Sequence, residues 1–408
     1  MKISQSVLFQ CYLSSFCNEG QVIQQKFTIY DTYLTIQIGV IDELKIEYCS
    51  QEAIFEWKFD NSNYSEVIVI TENYSQTYQG SKQTILNLKQ YLDGKVFFRN
   101  FKSHYKEIQT LKKTKQGDIT KCYNKQLNIE VIAKKLNFTQ NLECQQKKLI
   151  LNELKICQYL SQLNQESIIK LREFYQEKDK IILIFDFCEG GTLNFYMAQN
   201  NFCPSFVDIR KMMKKLLIAI KFLHKQNLMH RDIKMDNIML LDYNNPNSIQ
   251  IIDFGFSTFI DNQPYIIERC GTPGYIAPEL YSENSYDELI DIYSLGQIFF
   301  TLLTGRKFTF DSHSLKTFTQ LHQKQCNIIR ESTKNEIIVD LFQKMTNTSD
   351  KRYNAQQCLN HQYFEKTSKI KQKLTCLKSP LLKTPFQSII LKEQQCQSET
   401  QERFINLK

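Results

Sequence analysis

Residues 230–237 read HRDIKMDN, and this stretch decides how the chain is interpreted. Sixteen residues after Asn237 comes the triplet DFG at 253–255, and residues 271–279 then read GTPGYIAPE. Each motif alone could occur by chance, but the three in this order and spacing make coincidence negligible. The interpretation of the rest of the chain therefore starts from 230–279.

The order of these motifs resembles the catalytic core of eukaryotic protein kinases, and the resemblance covers residues 105–364. It implies an α+β, bilobal protein-kinase fold with a small β-rich lobe and a large helical lobe, and it implies ATP and Mg²⁺ as cofactors. Phosphoryl transfer depends mainly on positioning and charge neutralisation. The resemblance implies that Asp232 accepts the proton of the substrate hydroxyl and that Lys234 neutralises charge on the phosphoryl group. Asn237 and Asp253 would supply oxygen ligands for Mg²⁺.

A lysine two residues after the catalytic aspartate is the pattern of Ser/Thr kinases, and Gly274-Tyr275 fits the same group. The sequence thus predicts a protein Ser/Thr kinase that resembles the calmodulin-dependent and cyclic-nucleotide-dependent groups. The alternative is a pseudokinase, a binding scaffold of the same fold with weak nucleotide binding.

Residues 132–135 read IAKK and resemble the V-A-x-K strand of kinases. Residues two apart on a strand face the same way. If Ala133 packs on adenine, Lys135 shares its face and reaches the nucleotide phosphates, while Lys134 points to solvent. Eighteen residues after Lys135, Glu153 lies where kinases carry the glutamate that pairs with this lysine. Glu143 is the alternative.

The resemblance also implies an adenine pocket. Phe185 takes the position called the gatekeeper, and the hinge whose backbone bonds adenine follows at Asp186, Phe187 and Cys188. Met239 is expected to close the pocket from below.

The phosphate-binding loop departs from the kinase pattern G-x-G-x-x-G-x-V. Its glycine positions read Lys112, Thr114 and Gly117, so only the last glycine is kept, and Ile119 keeps the apolar roof over adenine. Glycines allow backbone N–H groups to approach phosphate closely. The two other side chains are expected to impair that geometry, and the charge of Lys112 to offset it in part.

Several further residues are expected to hold the catalytic core. Thr272 should hydrogen-bond Asp232 and Lys234. Glu268 stands where related kinases carry a phosphorylated threonine, and we hypothesise that it substitutes for that phosphate as a partner of Arg231. Two contacts are expected to support the large lobe: a buried pair of Glu279 with Arg352, and bonds from Asp291 to the catalytic-loop backbone.

Residues 1–100 read as a β-rich module, with aromatic and β-branched runs followed by one helix. Strands followed by one closing helix resemble a pleckstrin-homology module in plan; another small α+β module or an irregular extension is the alternative. The basic residues there, which include Lys26, Lys45, Lys58, Lys82 and Lys89, form no tight cluster of the kind that a phosphoinositide pocket needs. A protein contact or an intramolecular regulatory contact is therefore favoured over lipid or membrane contact.

Composition sets the remaining expectations. The net charge of the 408 residues is +8. Residues 365–408, which we predict to be a flexible tail, hold nine Lys/Arg and four Asp/Glu and so carry +5 alone. The thirteen cysteines are scattered without a C-x-x-C pair. This pattern favours reduced thiols, a cytoplasmic location and no zinc site. No motif indicates nucleic-acid binding, and the sequence names neither the protein substrate nor the oligomeric state.

Overall fold

The structure is a computed structural model, and it describes residues 6–16, 21–38, 42–60, 63–201, 203–261, 270–282, 286–307 and 315–365. The chain divides into two compact units. The first extends to Asn164 and includes Lys170–Phe187, and the second contains Gln165–Ile169 and the chain from Cys188 onward.

The first unit begins with seven antiparallel strands and a helix. The elements are β1 Phe9–Phe16, β2 Val22–Ile29, β3 Tyr33–Gln37, β4 Glu43–Glu47, β5 Ala53–Asp60, β6 Asn63–Thr71, β7 Ser75–Gln79 and α1 Lys82–Leu92. Along β1, the buried side chains of Cys11, Leu13 and Ser15 alternate with more exposed neighbours, as expected for a strand with one face in a core. Helix α1 begins after Ser81, whose hydroxyl accepts a bond from the Thr84 amide.

Seven strands followed by a helix agree with the β-rich pattern of residues 1–100. The resemblance to a pleckstrin-homology module rests on this element order and stays a prediction.

The rest of the first unit carries the elements expected of a small kinase lobe. They are β8 Phe97–Phe98, α2 Phe101–His104, β9 Tyr105–Thr114, β10 Gly117–Asn124, β11 Ile129–Asn137, α3 Cys144–Gln162, β12 Leu171–Glu177 and β13 Lys180–Asp186. All strands of this unit form one sheet, in the order β4-β3-β2-β1-β7-β6-β5-β8-β12-β13-β11-β10-β9.

The short strand β8 joins the two halves of this sheet. Phe98 pairs in parallel with Phe55 of β5 on one side and with Tyr175 of β12 on the other. A single hydrophobic core runs through both halves, and Trp57 and Tyr175 each pack edge-on against Phe98. The β-rich region and the first kinase strands therefore share one core on either side of residue 100.

The second unit is mainly helical. Its helices are α4 Leu193–Gln199, α5 Phe206–Lys225, α6 Glu279–Ser282, α7 Leu289–Thr304, α8 Leu315–Thr333, α9 Glu336–Thr346 and α10 Ala355–Leu359. Its short strands are β14 Leu228–Met229, β15 Ile238–Leu240, β16 Ile249–Ile251 and β17 Thr258–Phe259. From Ile290 to Leu303 every residue of α7 is buried, which makes this helix the centre of the unit.

Three findings bear on the compositional expectations. Nine cysteines among the described residues are free thiols, whereas Cys203 is in a disulfide, so reduced thiols are not the rule throughout. Within the described ranges, no cluster of three or more His, Cys, Asp or Glu side chains could hold a metal ion. None of the helices in those ranges is long and apolar enough to cross a membrane.

Candidate active site

In the second unit, three polar side chains surround the carboxylate of Asp232 in the catalytic loop. Asp232 is buried, and its carboxylate accepts a bond from Asn237 Nδ2 (2.9 Å) and one from Thr272 (2.6 Å). Lys234 Nζ lies 2.8 Å from Asp232 Oδ2 and also donates to Thr272 Oγ1, at 2.8 Å. The expected contacts of Thr272 with both residues are confirmed.

A short 3₁₀ turn, Met235–Asn237, brings Asn237 back towards Asp232. The same amide nitrogen of Asn237 also donates to the Asp232 carbonyl at 2.9 Å. A buried carboxylate is tolerated only where hydrogen bonds and an opposite charge compensate for lost water. The cluster supplies both, so it fixes Asp232 in one orientation.

The backbone of the loop is held from helix α7. The Asp291 carboxylate accepts bonds from the amides of His230 and Arg231, both at 2.9 Å, and lies 3.1 Å from His224 Nε2. Burial alone would raise the pKa of Asp291, but the bonds and charges of these histidines hold it below its ordinary value. The expected role of Asp291 in holding the loop is confirmed.

The second expected support is also present. The guanidinium of Arg352 and the carboxylate of Glu279 form a two-pronged buried ion pair, with Nη2 donating to Oε2 at 2.9 Å. Nη2 also donates to the Asn347 carbonyl at 2.8 Å. This pair anchors the end of the GTPGYIAPE motif to the end of the domain.

Three more of the expected site residues, Cys188, Met239 and Asp253, belong to the second unit. Asp253 is exposed and has a left-handed backbone (φ 65°), whereas the next side chain, Phe254, is buried. Cys188 is buried with its thiol donating to Gln250 Oε1 at 3.6 Å, and Met239 is the half-buried central residue of β15.

The structure corrects the expectation for the two lysines of β11. Lys134 forms the ion pair with Glu153 of helix α3, and Glu153 is buried. Lys135 instead pairs with Glu107 of β9, with Nζ 2.7 Å from Oε2. The assignment of Lys135 to the helix glutamate and of Lys134 to solvent is therefore wrong, although Glu153 itself was identified correctly over Glu143.

The expectation failed because Ala133 lies on the face of β11 that packs into the hydrophobic core. Ala133 is fully buried in the core shared with the N-terminal strands, together with Val131 and with Ile182 and Ile184 of β13. Lys135, two residues from Ala133, lies on that same face. The core shared with strands β1–β8 extends over this face, so the face is buried and apolar. Its sequence pattern therefore resembles that of a face that binds adenine.

The opposite face of the sheet carries the site residues. Directly paired residues of antiparallel strands share a face, so the pairing of Ile132 with Phe185 places both with Lys134. Ile119 of β10 pairs with Lys134 on one side and with Lys112 on the other. Ile132, rather than Ala133, therefore shares the face of Lys134, and so do Ile119 and Phe185; their contact with adenine stays a prediction. The interpretation of the sequence missed Ile132 and Lys134. The two-residue period of the strand identifies both when it is counted from Ile132 instead of Ala133.

The phosphate loop is a short turn between β9 and β10. Thr114 pairs with Gly117, and the Thr114 hydroxyl donates to the Gly117 carbonyl at 2.8 Å. Gly117 has a φ of 149°, and a Cβ there would lie 1.7 Å from the Lys135 carbonyl oxygen. The one glycine that the loop keeps is thus required by the close approach of β11.

Two further expectations concern Asp186 and Glu268. Asp186, expected at the hinge, ends β13 and its carboxylate is paired with Arg172. Glu268 lies outside the described residues; in the described part, Arg231 donates to the Phe256 carbonyl (2.6 Å) and to the Tyr286 hydroxyl (2.9 Å).

Comparison with known proteins agrees with this geometry. Residues 105–364 match the protein kinase domain family, so the chain belongs to the protein kinase family. This family generally uses ATP and Mg²⁺.

Individual relatives cover parts of the same region. A probable serine/threonine-protein kinase 2 of Plasmodium falciparum is 37% identical over 48% of this chain and 39% of its own length. Calcium-dependent protein kinase 5 of the same species is 30% identical over 63% of this chain and 42% of its own. Serine/threonine-protein kinase 17A of Oryctolagus cuniculus is 28% identical over 61% of this chain and 63% of its own. The chain thus spans less than two thirds of each of these relatives.

Proposed function

We propose that the protein is a serine/threonine kinase that transfers the γ-phosphate of ATP to hydroxyl groups of proteins. The observation that carries the proposal is the closed set of contacts among Asp232, Lys234, Asn237 and Thr272. The three partners hold this buried carboxylate in one orientation, as alignment of a reacting hydroxyl requires.

In the proposed reaction, the Asp232 carboxylate accepts the proton of the substrate hydroxyl and aligns the oxygen with the γ-phosphate. Lys234, which already contacts this carboxylate, neutralises charge that develops on the transferred group. Thr272 contacts both side chains, accepting from Lys234 and donating to Asp232, and so adds a third contact to this ion pair.

The residues fit Mg²⁺ as a cofactor. Asn237 uses its amide nitrogen towards Asp232, which leaves the side-chain oxygen as the ligand atom. With the exposed carboxylate of Asp253, this gives the hard oxygen donors that Mg²⁺ takes. Bound Mg²⁺ would orient the phosphates and offset their charge.

For nucleotide binding we propose Lys134, held by Glu153, as the lysine that contacts the phosphates. Ile119, Ile132 and Phe185 share its face and provide apolar surface for a base. Asp186 and Cys188 remain the proposed hinge, and Met239 remains the proposed lower wall of the adenine pocket.

The preference for serine and threonine rests on Lys234, two residues after Asp232, and is supported by the names of the relatives above. Protein substrates, a cytoplasmic location and any contact of residues 1–100 with lipid stay predictions.

The proposal is tested by transfer of radioactive phosphate from ATP to a basic protein substrate. We expect activity in the wild type and a loss of at least about a thousandfold in Asp232→Ala. A matched control is Asp242→Ala, which changes an aspartate in a surface turn of the same unit. Equal, near-background incorporation by the wild type and Asp232→Ala would refute the enzyme and favour the pseudokinase.

A further inference from the structure

Helix α3 carries Glu153, and its C-terminal half is bonded to the N-terminal strands. Gln158, five residues after Glu153, accepts a bond from the thiol of Cys49 (2.7 Å) and donates to the carbonyl of Lys95 (3.2 Å). Both ends of one side-chain amide are therefore occupied by residues from outside the matched kinase domain.

The two partners of Gln158 are themselves fixed to each other. The Cys49 amide donates to the Lys95 carbonyl at 2.9 Å, so the end of β4 and the end of α1 form one corner. Cys49 has a left-handed backbone (φ 56°) and is buried. Burial raises the pKa of its thiol to about 12, so the thiol keeps its proton and can donate. We call this the Cys49–Lys95 corner.

The corner is anchored to the same sheet as the kinase strands. From α1, Lys89 reaches the buried Glu173 of β12 at 2.6 Å. Phe97, two residues after Lys95, packs edge-on against Phe174 of β12, with ring centroids 4.7 Å apart. The corner thus cannot move relative to β12 without breaking a buried ion pair and an aromatic contact.

Helix geometry links Gln158 to the ion pair. Leu154, Gln158 and Ser161 follow one another along one face of α3, and Ser161 accepts a bond from the Leu171 amide at the start of β12 (2.7 Å). Glu153 lies on the adjacent face, roughly 7.5 Å along the axis from Gln158 at 1.5 Å per residue. A rotation or slide of the helix that withdraws Glu153 from Lys134 must also pull Gln158 off the corner.

We propose that Gln158 is a positioning residue for phosphoryl transfer: bonded to the Cys49–Lys95 corner, it holds helix α3 in the setting that keeps Glu153 against Lys134. The N-terminal strands then act as a brace of the kinase domain. This inference rests on the proposed function, because the lysine–glutamate pair matters through the nucleotide that it helps to bind.

The central test is Gln158→Leu in the full chain, with Gln162→Leu as the matched control. Gln162 is exposed on the same helix and receives the same substitution. We expect Gln158→Leu to weaken ATP binding and raise KM for ATP roughly five- to tenfold, the effect of losing one or two neutral hydrogen bonds. Amide exchange of peptides covering 149–162 should also accelerate, whereas Gln162→Leu should match the wild type in all three measurements.

A merely structural role would lower the folded fraction and kcat together, and would leave KM and the exchange of folded molecules unchanged. That result would overturn the proposal. Cys49→Ser keeps a donor and is expected to retain most of the wild-type KM, whereas Cys49→Ala should shift it in the direction of Gln158→Leu. Equal KM values for these two variants would also count against it.

A double mutant separates an effect through Glu153 from an independent one. If Gln158 acts by holding Glu153, Gln158→Leu adds no further rise in KM to Glu153→Gln. Multiplication of the two effects would overturn the proposal. If the wild type shows no Asp232-dependent transfer, the proposed function fails, but ATP affinity by calorimetry and amide exchange still decide the role of Gln158.

Discussion

The buried pair of Lys89 and Glu173 is expected to be the main polar determinant of stability in the first unit. Glu173 is 5% exposed and Lys89 3%. One carboxylate oxygen accepts from Lys89, and the other accepts from Tyr105 (2.9 Å) and Tyr175 (2.7 Å). The substitution Glu173→Gln keeps the shape of the side chain and removes its charge.

The magnitude follows from the pKa of Glu173. Burial alone would raise this pKa, but the charge and hydrogen bond of Lys89 and the Tyr175 hydroxyl lower it from 4.5 to about 2. At about 1.4 kcal/mol per pKa unit, the carboxylate contributes on the order of 3 kcal/mol to the free energy of unfolding at neutral pH. Removing one member of a buried pair costs about 3–5 kcal/mol. Because Lys89 keeps Asp93 at 2.7 Å, we expect the lower end, about 3 kcal/mol.

The sign of the pH dependence is fixed by the lowered pKa. The contribution is complete above the unfolded-state pKa of about 4.5 and is lost as the pH falls towards about 2. The difference in unfolding free energy between wild type and Glu173→Gln should therefore narrow steadily as the pH falls below about 4.5.

The assay is urea unfolding followed by the fluorescence of Trp57. This is the single tryptophan of the chain, and it is buried in the core that contains Phe98 and Tyr175. Glu47→Gln is the control, because Glu47 forms an exposed pair with Lys45 and such pairs contribute little. The double variant Lys89→Met/Glu173→Gln should lose less unfolding free energy than the two single variants lose together. A loss of unfolding free energy below roughly 0.5 kcal/mol for Glu173→Gln would contradict this prediction. So would a difference between wild type and variant that does not narrow in acid.

Three further predictions follow from particular contacts. Lys134→Ala should cut phosphate transfer by at least about tenfold and weaken ATP binding, whereas Lys135→Ala should leave ATP affinity unchanged, as calorimetry and steady-state kinetics can measure; the opposite ranking would restore the assignment from sequence. Asp291→Ala should lower stability by about 3 kcal/mol or more, since it leaves two buried backbone amides without an acceptor, and should lower kcat with it; full activity and stability would show that the loop holds itself. Gly296→Ala should destabilise the second unit by about 1–2 kcal/mol in thermal unfolding, because its Cβ would lie 2.3 Å from Thr346 Cγ2; a rise in stability would mean that helix α9 shifts freely.

The catalytic loop could be interpreted from sequence because its chemistry is local in the chain. Asp232, Lys234 and Asn237 lie within six residues, and a single turn brings them together. The partners from farther along, Thr272 and Asp291, were also expected, since each belongs to a motif of its own. Glu153 was identified from its distance in sequence to the lysine strand.

The choice between Lys134 and Lys135 could not be made in the same way. A strand with one buried face shows alternating apolar and polar residues, and the alternation tells which side chains share a face. In β11, residues 131–133 are all apolar, although Val131 and Ala133 are buried and Ile132 is only half-buried. The pattern then fits two registers that differ by one residue, and a shift of one residue moves every side chain to the other face.

The sequence by itself determined the family, the catalytic loop and the supports of that loop, because short-range motifs specify them. Only the tertiary structure decided which lysine pairs with Glu153 and that residues 1–100 share a hydrophobic core with the kinase strands. Both depend on β8, a two-residue strand that joins Phe55 and Tyr175 through Phe98. Two residues carry no periodic signal, yet their backbone bonds continue the sheet, and Val131 and Ala133 of β11 lie in one core with the N-terminal strands. This core is formed by residues far apart in the chain, and it covers the face of β11 that carries Ala133 and Lys135. Lys134 lies on the opposite face, where it pairs with Glu153.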